Sequence, residues 1–248
     1  MKIVSIIPAR HESLRFPAKL MQLLGGKTVI LRTYENVLST GLFDQVIVAT
    51  DSKIIYDEIF SNGGKVVMTK TSHKCGSDRI AEAVIGIDTD VVINVQGDEP
   101  FVNRESLKEL IEVFENDSNQ EIALSSLMTS LRGNQEIKNP SNVKVIVDLN
   151  NFALYFSRSV IPFVRDADLP HNYFKHIGVY AFRKGALIEF SQQKITPLEA
   201  AEKIECIRFI EYGKKIKMVY TDHVNFGIDT PEDLEQAKLY LKEKKYSQ

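Results

Sequence analysis

The hydrophobic positions of this chain switch repeatedly between short continuous runs and spacings of three and four residues. The runs KIVSII, QVIVAT, KVVM and DVVINV are apolar and β-branched, which predicts strands buried on both faces. Between and after them, TVILRTYENVL, DSKIIYDEIFSNGG, RIAEAVIGI and RESLKELIEVFEN have the periodicity of amphipathic helices. Strands that alternate with helices of this length indicate βαβ units and a parallel sheet.

Helix boundaries carry their own local signals. Thr28 is a possible N-cap of the first helix and Gly41 its stop, whereas Asp51 or Ser52 is the candidate cap of the second. Near the C-terminus, Thr230 stands directly before a proline and a turn rich in acidic residues, which predicts the start of a final helix over GIDTPEDLEQAKLYLKEK.

The pattern changes in the second half of the chain. NVKVIVDLNNFALYFS predicts an antiparallel hairpin, HIGVYAFR and KIKMVY predict strands, and TPLEAAEKIECIRFIEYG predicts one helix. We therefore expect an α/β core over 1–130 and 215–248. The segment of about 140–190 is expected to be an antiparallel excursion that carries a subunit interface.

Composition narrows the function classes. The chain has 248 residues, of which 44% are hydrophobic and 26% charged, as is typical of one soluble α/β domain. A formal net charge of −2 gives no reason to expect nucleic acid or a membrane surface as partner, so any anion site must be local. The apolar runs are too short for a membrane span or a signal peptide, and Cys75 and Cys206 form no metal-type cluster. We expect a cytoplasmic protein in which Cys206 is a core residue.

Charged residues cluster where two of the predicted strands end. Arg10, Arg15 and Lys19 follow the first strand, and Asp98 and Glu99 follow the fourth. In open α/β sheets, ligands bind beyond the carboxyl ends of the strands, where the strand order reverses. If the two strands are neighbours at that point, cations suited to phosphates face a carboxylate suited to a metal, which is the arrangement that nucleotide chemistry needs.

A magnesium site would need a second carboxylate, because Mg²⁺ prefers one or two carboxylates with phosphate oxygens and waters. GIDTPEDL offers Asp229. Plainer interpretations stay open: the cations could be solvated loop charges, QGDEP a simple turn and Asp229 a helix cap. A loop of about 20 residues after the first strand is unusual inside a compact domain and weighs against the first of these. No G-x-G-x-x-G follows the first strand, which disfavours a Rossmann dehydrogenase.

An ordered set of motifs resembles one enzyme family. IPARHESLRFPAK, VATD, HKCGSDRIAEA, INVQGDEP, NPSNVKVIVD, ALYFSRSVIP, HIGVYAFR and GIDTPEDLE follow one another across nearly the whole chain. In this order they resemble the 3-deoxy-manno-octulosonate (KDO) cytidylyltransferases, the CMP-KDO synthetases of bacterial lipopolysaccharide assembly. A single motif such as GDEP is weak, but the ordered set is highly specific.

The resemblance implies a single Rossmann-like nucleotidyltransferase domain with a mostly parallel sheet, and a homodimer whose contacts come from the antiparallel excursion. It implies Mg²⁺-dependent formation of CMP-KDO and pyrophosphate from CTP and KDO. The catalytic residues that it implies are Arg10, Lys19, Asp98 and Asp229, of which Asp98 and Asp229 would ligate the metal. Arg10, Arg15 and Lys19 would hold the triphosphate, and Arg79 would belong to the nucleotide side. The sugar pocket would be lined by Gln96, Arg158, His176, Tyr180 and Glu205.

Two features of the sequence bear on the acceptor pocket and the phosphate loop. His176 and Tyr180 lie four apart on a predicted strand, hence on one face, where they and Glu205 could bind sugar hydroxyls. FPAKLM stands where the family often has L-P-G-K-P-L, so Ala18 replaces a glycine whose backbone would be freer. Cys206 stands where the family usually has glutamine, which keeps a modified KDO, for example 8-amino-KDO, or another acid sugar open as acceptor.

Other functions remain as alternatives. A CMP-sialate-type cytidylyltransferase or a sugar-1-phosphate nucleotidyltransferase would share the opening loop, but not ALYFSRSVIP together with HIGVYAFR. A non-catalytic nucleotide-binding module would be expected to lack one of the metal carboxylates, and this chain has both Asp98 and Asp229.

Overall fold

The first apolar run forms a strand that is buried along its whole length. The structure is a computed structural model, and it describes residues 1–12, 16–73, 75–166, 171–223 and 227–246. Its strands are β1 (Ile3–Ala9), β2 (Leu23–Leu24), β3 (Lys27–Thr28), β4 (Gln45–Thr50), β5 (Val66–Met68), β6 (Val91–Asn94), β7 (Ile122–Ser130), β8 (Lys144–Val147), β9 (Ala153–Ser157), β10 (Phe174–Arg183) and β11 (Lys215–Tyr220). Its helices are α1 (Val29–Ser39), α2 (Lys53–Ser61), α3 (Gly76–Ala83), α4 (Arg104–Glu115), α5 (Gly133–Lys138), α6 (Lys184–Gln192), α7 (Pro197–Glu202), α8 (Cys206–Glu211) and α9 (Pro231–Tyr246).

The chain falls into two compact units. The first contains Met1–Leu107 and Asn225–Gln248, and the second contains Lys108–Val224. The expected core over 1–130 and 215–248 and the interface role of about 140–190 stay predictions. No helix among the described residues is both long and apolar enough to cross a membrane.

The first unit is built on a four-stranded parallel sheet in the order β6-β1-β4-β5. The chain runs from β1 to β4 and β5 on one side and then returns to β6 on the other. Strand order therefore reverses between β1 and β6, and the loops that follow these two strands leave the same edge of the sheet. The prediction that the first and fourth apolar runs are neighbours is confirmed, as is the α/β class.

The helix caps predicted for the first unit are partly correct. Thr28 caps α1, because its hydroxyl accepts a hydrogen bond from the Leu31 N–H at 3.3 Å. Ser52 stands at the cap position of α2, but its side chain makes no capping hydrogen bond. Of the two candidate caps, Ser52 therefore holds the cap position, whereas Asp51 forms an ion pair with Arg79 across 2.6 Å.

The second unit has a mixed sheet around β7. β7 pairs with β11 in parallel and with β10 antiparallel, and β8 pairs antiparallel with β10 and β9. The predicted hairpin is confirmed as β8 and β9, with Asn151 in a left-handed conformation at its turn (φ 58°). The sequence pattern does not predict β7, because serines interrupt its apolar run IALSSLMTS.

The prediction of one helix over TPLEAAEKIECIRFIEYG is wrong. α7 ends at Glu202, the following Lys203 has φ 56°, and α8 begins at Cys206. The break brings the guanidinium of Arg208 onto the carboxylate of Glu199, with N–O distances of 2.7 and 2.6 Å and both side chains buried. One continuous helix would separate these positions by about 13 Å along its axis. The buried ion pair therefore favours two short helices.

Candidate active site

The loop after β1 directs Lys19 through a left-handed residue. Ala18 has φ 52° and ψ 31°, a conformation that glycine adopts freely and that disfavours an L-residue by about 1 kcal/mol. A single 3₁₀ turn follows at Lys19–Met21, and its central residue, Leu20, is buried. The turn and its apolar anchor therefore fix where the backbone presents Lys19.

Lys19 joins the two carboxylates that the sequence predicts as metal ligands. Its Nζ donates to Oδ2 of Asp98 and, at 2.9 Å, to Oδ1 of Asp229. The Lys19 side chain is only 15% exposed. Partial burial lowers the pKa of Lys19, but Asp98 and Asp229 outweigh that effect and leave the pKa above its usual value. The cluster therefore holds a permanent cation between two acidic side chains at neutral pH.

The loop after β6 places Asp98 by close backbone packing. The carbonyl of Gly97 accepts a hydrogen bond from Thr33 of α1 at 2.9 Å. A Cβ at Gly97 would lie 3.1–3.2 Å from Ile30, Leu20 and the carbonyl oxygen of Pro8, so glycine allows the loop to approach β1 closely. Gln96 O accepts from Glu99 N at 3.1 Å, so QGDEP is a turn and also part of the site.

Asp229 is available to Lys19 because other residues cap α9. Thr230 Oγ1 accepts from the N–H of Asp233 at 3.2 Å, and Asp233 Oδ2 accepts from the N–H groups of Asp229 and Thr230 at 2.9 Å. The interpretation of Asp229 as only a helix cap is therefore wrong. The Ile228 N–H donates to the carbonyl of Asp98 at 3.0 Å, which ties the two acidic loops together.

A small cavity brings most of the predicted nucleotide-side residues together. It has a volume of about 210 Å³ and is lined by Pro8, Arg10, Glu12, Lys19, Leu20, Gly76, Arg79, Gln96, Gly97 and Asp98. A larger cavity of about 1010 Å³ shares Arg10 and Glu12 and extends to Asp51 and Thr71. Arg10 Nη2 donates to the carbonyl of His73 at 2.9 Å. Arg15 lies outside the described residues, and its predicted role stays a prediction.

Arg79 is the wall of the small cavity rather than a mobile surface cation. Its side chain is fully buried on α3, where it pairs with Asp51 across 2.6 Å and donates to Thr69. Its Nε has no hydrogen-bond partner within the described residues. A buried donor without a partner is costly, so the position of Arg79 rests on its contacts with Asp51 and Thr69.

His176 and Tyr180 lie in the second unit, on a bulged part of β10. Their ring centroids are 5.5 Å apart, and the register of β10 against β7 shifts between Ile177 and Tyr180. In a regular strand, residues four apart are separated by about 13 Å. The shared face was predicted correctly, but it is the bulge that brings the two rings into contact.

The His176 ring is buried and neutral. It is 8% exposed, packs edge-on against Phe156 and lies with Nε2 2.9 Å from the hydroxyl of Ser126. Burial, with a smaller contribution from Lys175, lowers the pKa of His176 to about 4. The ring is therefore a hydrogen-bonding group at neutral pH and not a cation.

Tyr180 also reaches the start of α8. Its side chain donates a hydrogen bond to Cys206, whose thiol is buried, and burial strongly raises the pKa of that thiol. Glu205 directly precedes Cys206 at the N-cap of α8. The prediction that Cys206 is a core residue is confirmed, and the structure brings Tyr180, Glu205 and Cys206 to one place in the second unit.

Arg158 is held by backbone carbonyls at the end of β9. Its Nε donates to Glu202 O at 2.8 Å and its Nη1 to Pro140 O at 3.1 Å, while the residue as a whole is exposed. Lys144, which is fully buried, donates to the carbonyls of Arg158 and of Asn142, the latter at 2.7 Å. The buried Lys144 ammonium thus holds the backbone at Asn142 and at Arg158, which positions the Arg158 guanidinium.

Sequence reasoning missed three supporting residues: Ser126, Lys144 and Glu202. The sequence could have indicated Lys144. A lysine inside the apolar run NVKVIVD must bury its aliphatic chain and find hydrogen-bond acceptors for its ammonium group. No sequence pattern pointed to Ser126, because it lies on β7, the strand that the hydrophobic pattern did not predict. Glu202 binds Ser157 and the Arg158 N–H, contacts that no local pattern signals.

Known proteins resemble the chain along almost its full length. A family model described as Cytidylyltransferase matches residues 4–216. A relative from Flavobacterium johnsoniae, named 3-deoxy-manno-octulosonate cytidylyltransferase, is 58% identical over 98% of this chain and 100% of its own length. A relative of the same name from Fusobacterium nucleatum is 43% identical, with 98% of each chain covered.

The chain belongs to the 3-deoxy-manno-octulosonate cytidylyltransferase family. A solved structure of CMP:2-keto-3-deoxy-manno-octonic acid synthetase in complex with CTP superimposes with a TM-score of 0.93 at 34% identity, covering 98% of this chain and 100% of the other. The resemblance and the fold class predicted from the motifs are confirmed. The chain is a KDO cytidylyltransferase by family, so the dehydrogenase, the other sugar nucleotidyltransferases and the non-catalytic module are not supported.

A more distant structure shares the fold alone. The 4-diphosphocytidyl-2C-methyl-D-erythritol synthase of Anaerococcus prevotii superimposes with a TM-score of 0.64 at 20% identity over 97% of this chain and 98% of its own.

Proposed function

We propose that the chain transfers CMP from CTP to the anomeric hydroxyl of KDO, giving CMP-KDO and pyrophosphate for lipopolysaccharide biosynthesis. The observation that carries the proposal is the meeting of Lys19, Asp98 and Asp229 at the edge where strand order reverses. These three residues come from distant parts of the sequence. A cluster of one lysine and two acidic residues at this edge is typical of a ligand site in an open α/β sheet.

The first unit supplies groups for the nucleotide. Arg10 and Lys19 are cations beside a cavity of about 210 Å³, and the triphosphate of CTP is a polyanion. Phosphate oxygens would compete with Asp98 and Asp229 for the Lys19 ammonium. Lys19 is also placed to stabilise negative charge on the departing pyrophosphate. Arg79, which lines the same cavity, would add positive charge on the nucleotide side.

The carboxylates of Asp98 and Asp229 fit a magnesium ion. Both reach a single cationic atom, Lys19 Nζ, so they are close enough to share one positive charge. These two carboxylates have hard oxygen atoms, and their number matches the one or two carboxylates that Mg²⁺ uses beside phosphates. No group of three or more His, Cys, Asp and Glu side chains able to hold a metal is found among the described residues, so substrate oxygens would complete the coordination. Bound magnesium supplies charge neutralisation and a lowered pKa for a coordinated hydroxyl.

The second unit supplies groups for the acid sugar. KDO and CTP are both negative, so a cation for the sugar carboxylate is needed. The Arg158 guanidinium, fixed by two carbonyls, can pair with it. His176, Tyr180 and Glu205 are polar groups suited to sugar hydroxyls. The sugar-binding role of Gln96 stays a prediction. The nucleophile belongs to the sugar, so no covalent enzyme intermediate is needed.

A modified acceptor is a second candidate. It rests on Cys206, which fills buried space beside Tyr180 with a thiol that offers only weak hydrogen bonding. An 8-amino-KDO or another acid sugar would then be preferred over KDO itself.

The proposal includes a cytoplasmic homodimer. Large apolar side chains are exposed along the excursion, with Leu149 104%, Leu154 54% and Phe163 89% exposed, which supports burial against a second copy. Cys75 and Cys206 do not form a disulfide with each other, which agrees with a reducing compartment.

The test is pyrophosphate release by the purified protein with CTP, Mg²⁺ and KDO, with UTP, sialic acid and 8-amino-KDO as comparison substrates. Release that requires CTP, Mg²⁺ and KDO together supports the proposal. A strong preference for 8-amino-KDO supports the second candidate. Failure of every acceptor contradicts both, and turnover without added Mg²⁺ after chelation contradicts the metal assignment.

A further inference from the structure

The hydroxyl of Ser126 lies among three polar atoms in the interior of the second unit. Ser126 is fully buried on β7. Its Oγ is 2.9 Å from Nε2 of His176, 3.1 Å from the carbonyl oxygen of Ile177 and 3.0 Å from that of Val179. All three distances are within hydrogen-bonding range.

The bulge in β10 explains why two carbonyls converge on one serine. The register of β10 against β7 passes from Ile177 opposite Leu127 to Tyr180 opposite Ser126, so Gly178 and Val179 are extra residues. Extra residues in a bulge are left out of the regular ladder. The Ser126 hydroxyl takes the place of the missing backbone donor.

A count of hydrogens assigns the roles of these atoms. A carbonyl oxygen can only accept, and a serine hydroxyl has one hydrogen to donate. If that hydrogen pointed to His176, the lone pairs of Ser126 Oγ would face two carbonyl oxygens. When it points to a carbonyl instead, Oγ has a lone pair for His176, and Nε2 must then carry a hydrogen. The second arrangement leaves one carbonyl oxygen, not two, facing a lone pair of Oγ and gives His176 Nε2 a hydrogen-bond partner, so it is the more favourable one for buried polar groups.

We infer that Ser126 is a positioning residue that holds His176 in the tautomer with its hydrogen on Nε2 and leaves Nδ1 as a hydrogen-bond acceptor for a hydroxyl of the acceptor sugar. This inference rests on the proposed function for the identity of the ligand. Nδ1 makes no hydrogen bond to any residue in the described part of the chain. An acceptor nitrogen favours a hydroxyl or ammonium hydrogen and disfavours a carboxylate or phosphate oxygen.

The inferred tautomer requires a neutral His176 ring, and the burial of the ring favours the neutral state. Phe156 and Tyr180 cover the ring at centroid distances of 5.0 and 5.5 Å. The depressed pKa of His176, about 4, has the same cause.

Nitrogen NMR of the full-length protein with ¹⁵N-labelled histidine tests the tautomer directly. The chain has five histidines, and the spectrum of a His176→Gln variant identifies the His176 signals by their loss. In the wild type at pH 7 we expect Nδ1 at the shift of an unprotonated ring nitrogen and Nε2 at that of a protonated one. The reverse pattern, or an even mixture, would overturn the inference without any need for a serine variant.

A serine pair on β7 gives a matched variant and control. Ser126→Ala removes the acceptor and should shift His176 toward a mixture of tautomers. Ser125→Ala removes a neighbouring buried hydroxyl, which donates to the Leu110 carbonyl at 3.1 Å, and should leave the His176 signals unchanged. Equal effects of the two variants would mean that the tautomer is set elsewhere.

Kinetics connect the tautomer to the substrate. Ser126→Ala should raise the KM for KDO about tenfold, which is the loss of one hydrogen bond, with kcat and the KM for CTP within about twofold. Ser126→Thr, which keeps a hydroxyl, should restore most of the lost affinity. An unchanged KM for KDO would contradict the positioning role. If the wild type fails to use KDO at all, the proposed function fails while the NMR result still decides the tautomer.

Discussion

The ammonium of Lys19 lies 2.9 Å from Oδ1 of Asp229, although 210 positions separate the two residues in the sequence. The same ammonium binds Asp98, so the lysine contacts the oxygens proposed as magnesium ligands. The arrangement keeps two carboxylates together without ligands, because the cation offsets their mutual repulsion. Substrate phosphates and magnesium would exchange with this internal ion pair.

Replacing Asp98 by Asn should abolish turnover and preserve the fold. The substitution removes a metal-binding charge, and we expect pyrophosphate release to fall by at least about a thousandfold. The melting temperature should change little, because asparagine has nearly the same size as aspartate and Lys19 keeps its ion pair with Asp229. Asp88→Asn is the control, because Asp88 pairs with Lys2 on the surface and its side chain is 85% exposed. Near-normal activity of Asp98→Asn would refute the metal role.

Replacing Lys19 by Ala should separate two effects. We expect the KM for CTP to rise tenfold or more, about the effect of losing a charged hydrogen bond. Magnesium binding without nucleotide, measured by calorimetry, should become tighter because no ammonium competes for Asp98 and Asp229. Lys27→Ala, which breaks a partly exposed ion pair with Glu35, is the control. A change confined to KDO kinetics would contradict the triphosphate role.

Replacing Ala18 by Gly should stabilise the protein. At φ 52° an alanine is strained and a glycine is not, so we expect the free energy of unfolding to rise by up to about 1 kcal/mol. Urea denaturation measures the effect. Ala83→Gly at the end of α3, in a right-handed helix, should have the opposite sign and a similar size. A loss of stability in Ala18→Gly would show that the left-handed turn is not under strain.

The buried His176 should lower the free energy of unfolding as the pH falls. The pKa of His176 is about 4 in the fold against an ordinary 6.5, so the unfolded chain binds the extra proton first. Its contribution is complete above pH 6.5 and is lost as the pH falls toward 4, by roughly 3 kcal/mol. Subtracting the profile of His176→Gln from that of the wild type isolates the contribution of this residue from those of other groups. Parallel profiles would contradict the neutral buried ring.

Local patterns in the sequence predicted much of the first unit. Apolar β-branched runs predicted its parallel strands, because burial on both faces leaves a continuous hydrophobic signature. The Thr28 cap and the start of α9 followed from hydrogen bonds within one turn of chain. Motif order predicted the family and the candidate residues, which periodicity alone would not have singled out.

The failures share a physical cause. Asp51, one of two candidate caps, instead binds Arg79, and the single helix predicted over α7 and α8 breaks between Glu199 and Arg208, which form an ion pair. Both outcomes depend on partners that are distant in sequence, and local hydrogen-bonding preference yields to a buried charge that needs its counter-ion.

The sequence by itself determined which segments form buried strands and helices, where most of them begin, and which residues carry charge at the strand ends. Only the tertiary structure decided that Lys19 contacts both Asp98 and Asp229, that a bulge brings His176 to Tyr180, and that the Ser126 hydroxyl lies 2.9 Å from the His176 ring. Dihedral preference and burial pattern are properties of neighbouring residues, so a sequence displays them. Contacts between side chains on different elements depend on strand order, register and packing, and these are fixed only when the whole unit folds.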